Sequence, residues 1–348
     1  MINFLIILFF IFNSCSENDY FVKKFNNNIK NNHNYFNQSF KFNKTYLKKK
    51  NVILGIIENY SISTILPFFK SLIKANFENS DIVIFVRRVS SKTINYLKNL
   101  GVFIYNIPKQ YKNISTINVR WKMYSDFLKD KIKKYNLVLH TDIRDTFFQK
   151  DIFKYYENYQ QPFLGVAIED GNLNETMNKQ WIVNYIGEEI HKKIRKERII
   201  CVGQVWGTID KFMEFSSILW QELKSNPEAI EQGVCNYLIY YKRILRNYLI
   251  KSDNFGPIMT IGLTAENKIH LDYNENILNF NNEIASVIHQ YDRKENIVKI
   301  VKRKFCPELD IFSNKTEKNI IYLSILFQFL IIILSLKIRF FKYYKIKK

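Results

Sequence analysis

The sequence predicts an α/β domain, a mostly parallel sheet with helices on both faces. Two observations carry that prediction. From residue 51 onward, short apolar runs alternate with amphipathic stretches of helical period. Strands that alternate with helices at this spacing need crossover connections, which cover both faces of a parallel sheet. The second observation is continuity: no linker-like stretch divides residues 51–310, so they read as one domain.

Residues 52–57 are apolar and stop at Glu58-Asn59-Tyr60-Ser61, a strand and its turn. Residues 63–75 then set Ile65, Leu66, Phe69, Leu72 and Ile73 on one helical face. The alternation repeats with a strand at 81–86, a helix at 92–100 stopped by Gly101, and a strand at 102–107 before Pro108. A long helix is predicted over 119–135, where Tyr124, Phe127, Leu128, Ile132 and Tyr135 recur at three-to-four spacing. Residues 137–140 are the fourth strand. Beyond residue 150 the pattern loosens: 163–168 and 199–207 read as strands, 177–195, 210–224 and 229–244 as helices, and 284–289 as the closing strand.

The two ends of the 348-residue chain differ from this core. Residues 1–15 are apolar and then small or polar, as in a signal peptide. Residues 16–50 are Asn/Lys-rich and read as a disordered stem. The stretch 320–338 carries seventeen uncharged residues and then Lys337, the short end of the membrane-spanning range, and 339–348 is a basic tail. The positive-inside rule puts that tail in the cytosol and the domain in the lumen. The expected arrangement is a type I protein of the endoplasmic reticulum or Golgi membrane, held by one C-terminal helix. Six N-x-S/T sequons, at Asn37, Asn43, Asn59, Asn113, Asn174 and Asn314, suit the luminal side. Cys201, Cys235 and Cys306 fit one disulfide plus one buried thiol, with no pair selected by sequence.

Net charge is +20, which invites a nucleic-acid reading. The distribution argues against it. Much of the excess lies in the stem and the basic tail, and no basic cluster interleaved with stacking aromatics marks the domain.

Chemistry is expected where the fourth strand ends. Leu137-Val138-Leu139-His140 runs into Thr141-Asp142-Ile143-Arg144-Asp145. Ligands of open parallel sheets bind beyond the carboxyl ends of the strands. A carboxylate pair there suits a divalent ion, and Arg144 suits phosphate oxygens through its bidentate fork. A solvated Asp–Arg surface network is the other reading of the same residues.

Through this strand and the following Thr146-Phe147-Phe148-Gln149, residues 51–305 resemble the GT-A superfamily of nucleotide-sugar transferases, and within it the glycogenin-like family-8 enzymes and their eukaryotic relatives. The segment stands in the place of that family's aspartate-any-aspartate motif, which binds the metal and the nucleotide ribose. Asp142 matches the first acid. Arg144 stands where the second belongs, and Asp145 follows one position late. Two arrangements stay open: Asp142 and Asp145 hold Mn2+ or Mg2+, or Arg144 supplies part of the cation's charge.

Three further segments carry the resemblance. Arg120-Trp121-Lys122-Met123-Tyr124 lies where the family places a basic residue near the donor diphosphate. Residues 199–205 are similar to the small-residue strand before the acceptor-side helix, and Glu231-Gln232-Gly233-Val234-Cys235-Asn236 is similar to the acid-Gln…Asn motif facing the sugar. Val287-Ile288-His289-Gln290-Tyr291-Asp292-Arg293-Lys294 resembles the closing strand, whose His is the last metal ligand and whose later Lys contacts phosphate.

The resemblance implies a GT-A-type fold and a luminal, membrane-anchored glycosyltransferase. It would move a sugar from a nucleoside diphosphate donor to a hydroxyl of a glycan or protein acceptor. Asp142, Arg144, Glu231 and Gln232 would be catalytic, Arg120, Asp142, Arg144 and Lys294 would bind the donor, and Asp142, Asp145 and His289 would hold the metal. The alternative from another class is a non-catalytic sugar-binding or scaffold protein on a degenerate transferase fold, which Arg144 in place of an acid keeps open.

Overall fold

The computed structural model describes residues 49–307. The signal segment, most of the stem, the apolar stretch 320–338 and the basic tail lie outside the described residues. Among the described residues, no helix is long and apolar enough to cross a membrane.

In chain order the elements are β1 (Lys50–Glu58), α1 (Ile62–Lys74), β2 (Ser80–Arg87), α2 (Ser91–Asn99), β3 (Phe103–Asn106), α3 (Thr116–Lys129), β4 (Tyr135–Thr141) and β5 (Thr146–Phe148). There follow α4 (Ile152–Tyr155), β6 (Leu164–Asn172), α5 (Thr176–Ile186), α6 (Glu188–Ile194), β7 (Arg198–Thr208), α7 (Ile209–Ser225) and α8 (Glu231–Asn236). The last part holds β8 (Leu249–Ser252), β9 (Ile258–Thr260), β10 (His270–Leu271), β11 (Ile277–Leu278), β12 (Val287–His289) and α9 (Glu295–Phe305).

The main sheet has seven strands in the order β3-β2-β1-β4-β7-β6-β8. Only β7 runs against the rest, pairing antiparallel with both β4 and β6. Its neighbours explain the continuous apolar runs. On β1, Val52 and Leu54 face one core with Trp121 and Tyr124 of α3 and Phe212 and Phe215 of α7. Ile53 and Ile57 face the other core with Phe68 and Phe69 of α1 and Leu97 of α2. Successive strand side chains alternate between faces, so both sets must be apolar when both faces are covered. Each fully buried side chain of this size contributes roughly 1.5–3 kcal/mol. Ser61 and Ser90 start α1 and α2 by accepting the backbone N–H of Thr64 and Thr93, caps that contribute about 1 kcal/mol each.

The early strands and helices match the sequence expectation to within a few residues; several later ones differ. The helix expected over 119–135 ends at Lys129, and Tyr135 opens β4. Tyr135 is buried and its hydroxyl donates to Asp81 Oδ2 at 2.8 Å, while Ile132 is left exposed in the turn. Tertiary burial of one phenol overrides the helical period there. The stretch 177–195 is two helices that break at Gly187, whose φ is 84°. The helix expected over 229–244 is α8 followed by one wide π turn, Tyr237–Tyr241. The closing strand is only Val287–His289.

A second sheet of three short strands, β5-β12-β9, lies past the end of β4. In it β12 pairs antiparallel with β5 and parallel with β9, which sets His289 opposite Thr146 and Thr260. Gln149 locks this sheet to the following hairpin. Its amide donates to the carbonyls of Ile277 and Ala285 at 3.0 and 2.9 Å, and its oxygen accepts the Ile277 N–H at 2.8 Å.

Candidate active site

The site starts from the loop between β4 and β5. Ile143 turns down into the core and is 2% exposed. It fits because Gly55 in β1 has no side chain: a Cβ there would stand 2.5 Å from Ile143 Cδ1. With Ile143 pinned, Asp142 and Asp145 both face His289 across the loop. Gln204 of β7 holds the loop ends, donating to Thr141 Oγ1 at 2.7 Å and Thr146 Oγ1 at 2.8 Å. The Asp142 N–H donates to the Gly203 carbonyl at 2.9 Å.

Asp142, Asp145 and His289 offer ligand atoms that all lie within 4.8 Å of one another. His289 Nε2 is 3.6 Å from Asp142 Oδ2 and 3.5 Å from Asp145 Oδ1. That nitrogen is buried and has no hydrogen-bond partner among the described residues. A Cβ on Gly203 would come within 2.4 Å of His289 Cε1 and 2.6 Å of Asp142 Oδ2, so the glycine keeps the space between them open. An orphaned ring nitrogen, two carboxylates and a cradle that a methyl group would fill suit a divalent cation such as Mn2+ or Mg2+.

A second, buried network backs the first. Arg120, 1% exposed, donates from Nη1 to Asp142 Oδ1 at 2.5 Å and from Nε to Glu231 Oε2 at 3.0 Å. Its Nη2 and the Trp121 indole N–H also donate to Glu231. Burial pulls the Arg120 guanidinium down, but Glu231 and Asp142 outweigh it and hold it above its ordinary value. Burial pushes the Glu231 carboxyl up, and the Arg120 guanidinium beside it pulls the other way. Burial likewise pushes Asp142 up, yet Arg120 and His289 dominate and keep it well below the usual carboxylate range. His140, enclosed by Trp121 and Tyr124, is driven well below 6.5 by burial and then by Arg120, so it stands neutral behind Asp142.

Arg144 is half-exposed and sits 3.4 Å from Asp145 Oδ2 and 3.5 Å from Asp292 Oδ2. Tyr60, at the end of β1, has its hydroxyl pushed up by burial, with Arg144, Asp142 and Asp145 all close enough to perturb it.

The structure therefore gathers Arg120, Asp142, Arg144, Asp145, Glu231 and His289 into one connected set. Gln232 and Lys294 stand apart. Gln232 donates to Asn178 Oδ1 of α5 at 2.9 Å. Lys294 is the half-buried N-cap of α9, and no ion pair joins it to the cluster among the described residues. Arg120 and Glu231 are enclosed, and among the described residues their polar contacts run to one another, to Asp142 and to Trp121. Sequence reasoning missed Asp292, Tyr60 and Gln204 as parts of the site. Asp292 and Tyr60 are readable as polar groups just past strand ends, whereas Gln204 carries no local signal.

The architecture has the α/β class the sequence predicts: a helix-flanked, mostly parallel sheet with the acidic loop after β4 and the histidine on a late strand. No protein-family model matches the sequence, and no curated protein matches it. Among solved structures, one similar to it is the galactosyltransferase LgtC in complex with donor and acceptor sugar analogs, at 14% identity and a TM-score of 0.42, covering 68% of this chain and 86% of that one. Another is the bifunctional glycosyltransferase WbbM, at 12% identity and a TM-score of 0.43, covering 72% of this chain and 47% of that one.

Proposed function

We propose that the chain is a nucleotide-sugar glycosyltransferase that moves a sugar from a nucleoside diphosphate donor to an acceptor hydroxyl. The observation that carries this reading is the convergence of Asp142, Asp145 and His289 around an open cradle at the carboxyl end of β4. A divalent cation held there supplies positive charge to a departing diphosphate. Arg144, half-exposed and tethered only through ion pairs, is the side chain placed to reach phosphate oxygens beside it. Arg120 acts from beneath: it fixes the Asp142 carboxylate in its ionised form and orientation, and Glu231 fixes Arg120. Gln232, which would orient the transferred sugar, and Lys294, which would contact phosphate, rest on the sequence resemblance alone, since both stand apart from the cluster.

The direct test is release of nucleoside diphosphate from a panel of nucleotide sugars with Mn2+ present. Asp142→Ala should lower the rate on the order of 10²–10³-fold, as expected when a group stabilising transition-state charge is lost. Equal rates in parent and variant would overturn the assignment. A scaffold on the same fold would bind no donor and release nothing.

The same proposal places the domain in the lumen of the secretory pathway, anchored by 320–338, on the strength of the sequence pattern at both chain ends. Protease added to intact microsomes should then trim only the basic tail.

A further inference from the structure

We propose that Cys201 is a positioning residue of the candidate metal centre: its sulfur accepts the Nδ1 proton of His289 and leaves Nε2 as the lone-pair atom facing Asp142 and Asp145. The inference rests on the metal reading of that cluster.

Cys201 Sγ lies 3.6 Å from His289 Nδ1, and both residues are 1% exposed. The ring can point its lone pair only one way at a time. If Nε2 is to bind an ion, Nδ1 must carry the proton, and a buried N–H needs an acceptor. The sulfur is the acceptor the structure provides.

The orientation of a neighbouring amide supports the acceptor role. Gln290 Oε1 accepts from Arg293 Nη1 at 3.0 Å, and arginine is a donor only, so the amide nitrogen must be the atom that faces away. That nitrogen lies 3.7 Å from the same sulfur. Cys201 thus already receives one N–H, and His289 Nδ1–H is the second.

Strand geometry ties this contact to the cradle. Residues i and i+2 of a strand share a face, so Cys201 and Gly203 of β7 both point at the same imidazole. Cys201 meets it at Nδ1, and Gly203 opens the space beside Cε1 and Nε2, where an added Cβ would stand 2.4 and 2.7 Å away. One strand face therefore supports one edge of the ring and clears the other for the ion.

Mn2+ binding to the full chain, read as loss of the free-ion EPR signal, tests the proposal without turnover. Cys201→Ala should weaken Mn2+ on the order of 10–100-fold, the usual loss when the outer partner of a ligating histidine is removed. Cys201→Ser should recover part of it, because an oxygen accepts the same proton from a shorter side chain. Cys201→Ala combined with His289→Ala should bind no more weakly than His289→Ala alone, since the cysteine acts only through that ring. Metal-free melting curves of each variant check that the fold persists. Parent-like Mn2+ binding by both cysteine variants, or fully additive losses in the double variant, overturns the role of Cys201 alone. A parent protein that binds no Mn2+ overturns the metal reading and this inference together.

Discussion

Arg120 and Glu231, 111 residues apart in the chain, meet as a bidentate ion pair sealed beneath the candidate site. Arg120 is the link between Glu231 and Asp142, so the pair is the floor on which Asp142 stands. Truncating one partner of a buried pair strands the other charge, which costs about 3–5 kcal/mol. Glu231→Ala should therefore lower the urea-unfolding free energy by that amount, and Glu231→Gln by clearly less because it keeps an acceptor for Arg120. If Glu231→Ala unfolds like the parent but loses donor-dependent activity, the residue touches substrate instead of supporting Arg120.

Gly203 is predicted to be intolerant of a single methyl group. A Cβ there collides with His289 and with Asp142 Oδ2, and neither neighbour is a loose surface chain. Gly203→Ala should weaken Mn2+ by at least about tenfold, which corresponds to 1.4 kcal/mol of lost binding energy. Isothermal titration checks it, and parent-like binding would show that the cradle is not where the ion sits.

Arg144 separates the two arrangements left open by its position in the acidic motif. Its guanidinium stands 3.4 Å from Asp145, a carboxylate that would also hold the cation. If the cation is the main positive charge, Arg144→Ala removes a competitor and Mn2+ should bind a few-fold more tightly, while affinity for nucleoside diphosphate falls. If Arg144 substitutes for the ion, chelation should change activity little and Arg144→Ala should be the most damaging change. Activity with and without EDTA, in parent and variant, distinguishes them.

Asp151 gives a pH dependence away from the site. It caps α4 by accepting the Phe153 N–H at 2.9 Å, and burial raises its carboxyl from 3.8 to about 6. The folded state therefore binds this proton more tightly than the unfolded chain does. The resulting penalty is absent below about pH 4 and fully present above about pH 6, so stability from this group falls as pH rises through that window. Asp151→Asn keeps a capping oxygen and removes the charge. It should raise the melting temperature at pH 7 and flatten the profile between pH 4 and 6, with a gain of at most ~3 kcal/mol. A lower melting temperature at pH 7 would contradict the assignment.

The sequence was most legible where structure is local. Strands β1, β2 and β4 and helix α1 bury long apolar runs, so their periods are strong. The acids after β4 were legible because Asp142, Arg144 and Asp145 cluster just beyond the apolar run Leu137-Val138-Leu139. Strands β5 and β9 were not, since each is three residues long and exists only by pairing with β12. The burial of Arg120 was hidden for a similar reason: nothing beside it in sequence shows that Glu231 will neutralise it. Cys201, Cys235 and Cys306, of which one pair was expected to bridge, are all free buried thiols in the structure. Cys201 lies 88 residues from the ring it touches, so no spacing rule could have assigned it.

The central claim is that Asp142, Asp145 and His289 form a metal-dependent site for a nucleoside diphosphate. The most direct measurement is a thermal shift of the domain against a panel of nucleoside diphosphates, with Mn2+ and with EDTA, in the parent and in Asp142→Ala. At 100 times its dissociation constant a ligand stabilises by about 2.7 kcal/mol, a shift of a few degrees for a domain of this size. The account predicts such a shift for at least one nucleotide in the parent with Mn2+, its loss in EDTA, and its absence in Asp142→Ala. A nucleotide that stabilises parent and Asp142→Ala equally, or no stabilisation by any of the panel, would contradict it.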